Sequence, residues 1–187
     1  MSKFMEKIAI PFLKFAKRLR KDADVVDIFG TLAEARTILV CMPYNTEAFR
    51  IARNFIVNLT SDFPNASFQF VVRDSYLEQL DGLKKYGTII VAEKDVNMFG
   101  LPKNELVQKV FSMSYDIAID LNEEFHLLST FLCQKSSASL KICLDNQDRE
   151  LFYNFYFRAQ QHENLENKYR KLAHYLNVCS APVSVLQ

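Results

Sequence analysis

Thr-Ile-Leu-Val-Cys-Met, residues 37–42, is a short and almost continuously apolar run that Pro43 brings to a stop. A strand with one face in water alternates apolar and polar residues. A run without alternation belongs to a strand buried on both faces, as in a parallel sheet covered by helices. Further strands are read at Ser67–Val72 (SFQFVV), Thr88–Ala92 (TIIVA), Tyr115–Leu121 (YDIAIDL) and Ser139–Leu144 (SLKICL). Leu151–Phe157 (LFYNFYF), rich in aromatics, reads as a sixth strand.

Helical patterns fill the gaps. Thr46 is placed to cap a helix whose apolar face is Phe49, Ala52, Ile56 and Leu59, and which ends before Pro64. A short helix is expected over Asp74–Leu83, closed by Gly82 and Gly87, and a third over Pro102–Met113 with Pro102 in its first turn. A fourth follows over Glu124–Cys133, and Leu165, Tyr169, Leu172 and Leu176 mark a closing one. Strands alternating with helices of about ten residues require crossover connections, and so predict an α/β domain with a mostly parallel, doubly wound sheet of about six strands.

The flanking segment is different in kind. The 187-residue chain carries a formal charge of +1, but its first 21 residues are +6 and the remainder −5. Phe4, Ile8, Phe12, Phe15 and Leu19 lie on one helical face among Lys and Arg, with Pro11 suited to the first turn of a helix running to about Lys21. Two roles fit: a helix lying on an anionic membrane, or one packed on the domain with its basic face in solvent. Asp22, Asp24 and Asp27 end it and lead into a linker containing Gly30, so residues 1–36 read as an extension and 37–187 as the domain. The mildly acidic body argues against nucleic acid as a partner.

Four widely spaced cysteines form no CxxC and no zinc pattern, which predicts no metal. Cys41 and Cys143 read as buried small hydrophobes in a reducing compartment. No apolar run approaches the roughly 20 residues that span a bilayer, and no signal peptide is evident. The expected location is the cytoplasm, with peripheral membrane contact through residues 3–21 as an option.

Ligands of open parallel sheets bind beyond the carboxyl ends of the strands. That rule selects Pro43-Tyr44-Asn45-Thr46-Glu47, Glu93-Lys94-Asp95-Val96-Asn97 and Asp120-Leu121-Asn122-Glu123-Glu124 with His126. Tyr44, Asn45, Thr46, Glu47, Glu93, Asp95 and Asn122 are therefore the ligand-binding candidates. Neither G-x-G-x-x-G nor a P-loop exists among only four glycines, so no nucleotide cofactor is expected. Asp120, Glu124 and His126 are the catalytic candidates, as carboxylates and an imidazole for acid–base work. The plainer reading puts Glu123 and Glu124 in a first helical turn, where acids favour the dipole, with Asp120 capping the loop and His126 half-buried. In Val96–Asn104 (VNMFGLPKN), Gly100 is expected at positive φ, with Asn97 and Asn104 bonding to backbone, as an ordered loop or a ligand lid.

The chain resembles the N-terminal, acceptor-side half of glycosyltransferase family 9, the ADP-heptose:lipopolysaccharide heptosyltransferases. The likeness covers roughly residues 37–157. It is carried by Thr37–Met42, by Asp62-Phe63-Pro64-Asn65-Ala66 before Ser67–Val72, similar to the family's "FPxA", and by Tyr115–Asn122 (YDIAIDLN), similar to "YDxxIDLQG". VNMFGLPKNELV and the short length also resemble small bacterial proteins that keep only this half. The resemblance implies a Rossmann-like three-layer domain of the GT-B kind. It also implies departures: the family's Gly-Asp motif, whose Asp acts as base, is MPYNTEAF here, and Glu123 replaces the Gly after "IDLQ".

The resulting expectation is a non-catalytic binding or assembly protein linked to cell-envelope glycan synthesis, with a protein or glycan partner. The alternative is an enzyme: half of a split transferase, or a small α/β catalyst using Asp120, Glu124 and His126. A homodimer formed through a sheet edge or the closing helix is a third possibility.

Overall fold

Each apolar run does form a strand. In the computed structural model, which describes residues 26–80, 83, 85–160 and 162–180, the strands are β1 (Thr37–Cys41), β2 (Ser67–Arg73), β3 (Gly87–Val91), β4 (Ile117–Asp120), β5 (Leu140–Leu144) and β6 (Phe155–Phe157). They form one sheet in the order β3-β2-β1-β4-β5-β6, and every pairing is parallel. Chain order therefore reverses between β1 and β4, where Ile38 pairs with Ile117 and Cys41 with Asp120.

Because side chains alternate across a strand, each strand feeds two cores. Ile38, Val40, Phe70, Ile117, Ile119 and Ile142 face α1 (Ile28–Glu34), α2 (Thr46–Asp62) and α5 (Leu165–Ser180), meeting Leu32, Phe49, Ile56, Leu59, Tyr169 and Leu176. Leu39, Cys41, Val71, Ile89, Ala118 and Cys143 face α3 (Asn104–Val110) and α4 (Leu127–Lys135), meeting Leu106, Val110, Leu128, Leu132 and Cys133. Burial on both faces is why the central strands β1 and β4 are almost wholly apolar. The four cysteines are free and buried.

Several element bounds differ from expectation, each for a local reason. The segment around Gly30, expected as a linker, is helix α1: Asp27 caps it by accepting from Gly30 N at 3.0 Å, and Leu32 is buried. Asn45, not Thr46, caps α2, accepting from Ala48 N at 3.0 Å. Asp74–Gln79 is a 3₁₀ helix rather than an α-helix. Helix α3 starts at Asn104 because Pro102 is held in a bridge with Val96, and α4 starts at Leu127, so Glu123 and Glu124 precede it. Strand β6 keeps only the last three residues of Leu151–Phe157. Gly100 does take a positive φ, 82°. The basic N-terminal helix and Gly82 lie outside the described residues, among which no helix is long and apolar enough to cross a membrane.

A parallel β5–β6 pair needs a crossover, and residues 145–154 supply it without a helix. This irregular segment lies on the α3/α4 face, placing Phe152 and Tyr153 in that core and Arg149 beneath the strand ends. At the opposite end of the sheet, the Asp116 carboxylate accepts from Arg36 N (2.8 Å), Thr37 N (2.9 Å) and Thr37 Oγ1 (3.0 Å). Burial alone would raise its pKa, but these bonds outweigh it and hold it below the usual range. Replacing Asp116 with Ala removes a charged acceptor from three donors at the start of β1. A loss of about 2 kcal/mol in urea denaturation is the expected result.

Candidate functional site

The β1/β4 reversal is where such a sheet opens a crevice for ligands. Here the chain's own side chains fill it. Asp120, the last residue of β4, is 1% exposed and carries an ion pair with Arg149, whose Nη2 lies 2.7 Å from Oδ2; both side chains are fully buried. Arg149 Nη1 in turn donates to the Asn122 carbonyl. Oδ2 also accepts from Tyr153 OH (2.5 Å) and Ser129 Oγ (2.7 Å), and Oδ1 accepts from Asn122 N (3.0 Å) and Nδ2 (2.8 Å). Burial would raise this carboxyl's pKa, but Arg149 first, then Tyr153 and Asn122, hold it below the ordinary range. Burial pushes the Tyr153 hydroxyl far up, so it stays a donor.

The network reaches the loop after β1. Asn122 Oδ1 accepts from Tyr44 N at 2.9 Å, and the Tyr44 carbonyl accepts from Tyr76 OH at 2.6 Å. Tyr76 stacks on Phe49 of α2 with centroids 4.2 Å apart, and Thr46 Oγ1 lies 3.3 Å from its hydroxyl. With its backbone held on both sides, Tyr44 lays its ring on His126 at 3.7 Å, and the Arg73 guanidinium sits over that ring at 5.4 Å. His126 Nδ1 is enclosed and has no hydrogen-bond partner. Burial, reinforced by Arg73 and Arg149 and opposed by Asp120, lowers the imidazole to about 4, so it is neutral at pH 7.

Beside this plug, above the ends of β2 and β3, lies an open cleft of about 250 Å³. Tyr44, Arg73, Glu93 and His126 line it together with Val91, Val96 and Leu128.

The candidates separate accordingly. Tyr44, Glu93 and His126 meet at the cleft, whereas Asp120 and Asn122 belong to the buried network. Asn45 is the α2 cap, and Asp95 turns inward to accept from Ala92 N at 2.8 Å. Glu47 is exposed and paired with Arg50 at 2.7 Å, and Glu124 is exposed. The catalytic trio is thus dispersed among a buried network, a stacked ring and the surface. Arg149, Tyr153, Ser129 and Arg73 were not legible as site residues. A buried Asp at a strand end does demand a cation, but nothing in the order of residues says which. Among the described residues, no group of His, Cys, Asp and Glu is placed to hold a metal ion.

Two expectations follow. Arg149→Met leaves the Asp120 charge buried without its cation and should lower stability by about 3–5 kcal/mol in urea titration. The unfolded chain binds a proton at His126 near pH 6.5, which the native state refuses until about pH 4. The neutral imidazole's contribution, about 3 kcal/mol, is therefore present above the unfolded value and declines as pH drops through that window. Urea midpoints of His126→Gln should decline less than wild type between those pH values.

Comparison with known proteins bears on the fold. No curated protein matches the chain. Among solved structures, the glycosyl transferase family 9 protein from Veillonella parvula DSM 2008 superposes with a TM-score of 0.61 at 16% identity, over 83% of this chain and 43% of that one. E. coli heptosyltransferase WaaC with ADP gives 0.56 at 16% identity over 74% and 46%, and with ADP-2-deoxy-2-fluoro heptose 0.59 at 16% over 79% and 50%. The chain thus shares the fold of about half the length of these proteins, as the sequence resemblance implies. A family profile matches residues 13–179, and the chain belongs to that family, the family of unknown function DUF6913.

Proposed function

We propose that this chain is a non-catalytic binding or assembly protein built on a glycosyltransferase half-fold. One observation carries the reading: the β1/β4 crevice is occupied by the Asp120–Arg149 pair and the side chains bonded to it. A ligand entering there would have to expel a buried ion pair. Removing either partner costs about 3–5 kcal/mol. The groups available for acid–base chemistry support the same reading. Asp120 has both oxygens engaged, Glu47 is bound to Arg50 on the surface, and His126 is stacked on Tyr44. Binding then falls to the open side cleft and to the cationic segment 3–21, which would bring the domain to a membrane surface or a partner in glycan assembly.

A second reading, half of a split transferase, is supported by coverage of 43–50% of the similar structures. The two readings part in one assay. Purified chain is incubated with ADP-sugars and glycan acceptors, and ADP release is followed. No release above buffer is expected. Turnover by the chain alone overturns the proposal, and turnover only after adding a co-purifying second chain establishes the split enzyme.

A further inference from the structure

We propose that the side cleft binds a small organic monoanion with an apolar body, its charge against Arg73 and its body against Val91, Val96 and Leu128. The inference deepens the binding reading above and rests on it. The cleft has the make-up of a small-molecule site, a concave and mostly apolar wall with a few convergent polar groups.

The charges at the wall decide the class. Arg73 is the cation, and among the described residues it is in no ion pair; its guanidinium has the Tyr44 ring at 5.4 Å. An anion is the complement it lacks. Glu93, on the same wall, would repel a second negative charge. His126 lines the cleft as a neutral ring at pH 7, its Nδ1 enclosed behind the stack with Tyr44. One cation, one anion and a neutral ring select a monoanion over a dianion.

The apolar part of the wall is held in place. The loop that supplies Val96 and Gly100 to the cleft is fixed by the Val96–Pro102 bridge and by Asn97 Oδ1, which accepts from Phe99 N (2.9 Å) and Leu101 N (3.1 Å). Gly100 closes the turn at φ 82°. So held, the loop displays Met98 at 70% and Phe99 at 40% exposure. A loop fixed in this way presents Val96 and Gly100 to the cleft already in place, so an apolar ligand body packs against that wall without ordering it first.

The test is an NMR titration of isotope-labelled full-length protein with benzoate, benzamide, phthalate and sulfate. Benzoate should shift the amides of Ala92, Glu93, Val96 and Gly100. Benzamide, phthalate and sulfate should each bind at least about ten-fold more weakly, equivalent to about 1.4 kcal/mol. Arg73→Gln should lose benzoate binding while the rest of its spectrum stays native, and Arg73→Lys should restore part of it. The proposal is overturned by absence of shifts with benzoate, by benzamide, phthalate or sulfate matching it, or by Arg73→Gln binding as wild type. None of these results touches the ADP-release assay, so this inference and the non-catalytic reading fail separately.

Discussion

Asp120 stands where β4 ends, in the middle of the sheet, with its carboxylate buried away from solvent. A buried carboxylate without a partner is costly by several kcal/mol. The groups gathered around it define the upper end of the domain. Arg149 comes from the β5–β6 crossover, Tyr153 from the same segment, Ser129 from α4 and Asn122 from the following loop. Through Asn122 the constraint passes to Tyr44, and through Tyr44 to His126 and Arg73. The irregular path of residues 145–154 follows from the same need, since it delivers a guanidinium to a strand end that lacked one.

The plug and the cleft are therefore two sides of one arrangement. With the β1/β4 crevice closed, the Tyr44–His126 stack becomes a wall whose other side is open above β2 and β3. The glycine-free loop MPYNTEAF makes this possible. Tyr44 fills space that glycines would leave empty, and its backbone N–H and carbonyl are both bonded within the chain. A loop built to admit a phosphate keeps such amides free. In this loop the backbone groups turn inward.

Strand positions were readable because burial on both faces leaves an unambiguous apolar run, and β1 to β5 follow those runs closely. The ends of helices were less so. Thr46 and Asn45 are both good caps, and only the fold chooses Asn45; Glu123 and Glu124 suit a first turn, but the chain delays α4 to Leu127 so that Ser129 can reach Asp120. Of the site, Tyr44, Asn122 and His126 were legible from the rule that ligands gather at strand ends. Arg149 was not. Flanked by Asp148 and Glu150 in a polar stretch, it has the sequence context of a solvated charge. Its burial depends on a contact with Asp120, 29 positions earlier, that no local pattern records.

The reversal of strand order has a consequence for how the chain must fold. β1 is the hinge of the sheet, and its partner on one side, β4, lies 79 positions away in the Ile38–Ile117 register. The first three strands can assemble among near neighbours, yet that assembly leaves one long edge of β1 unpaired and apolar on both faces until β4 arrives. Closing such a span is entropically slow. Any order of assembly that pairs β1 to β3 before β4 leaves the first half of the domain with an open, adhesive edge. The Asp116 clasp on Arg36 and Thr37 lies where β1 and β4 first meet, suited to closing that edge.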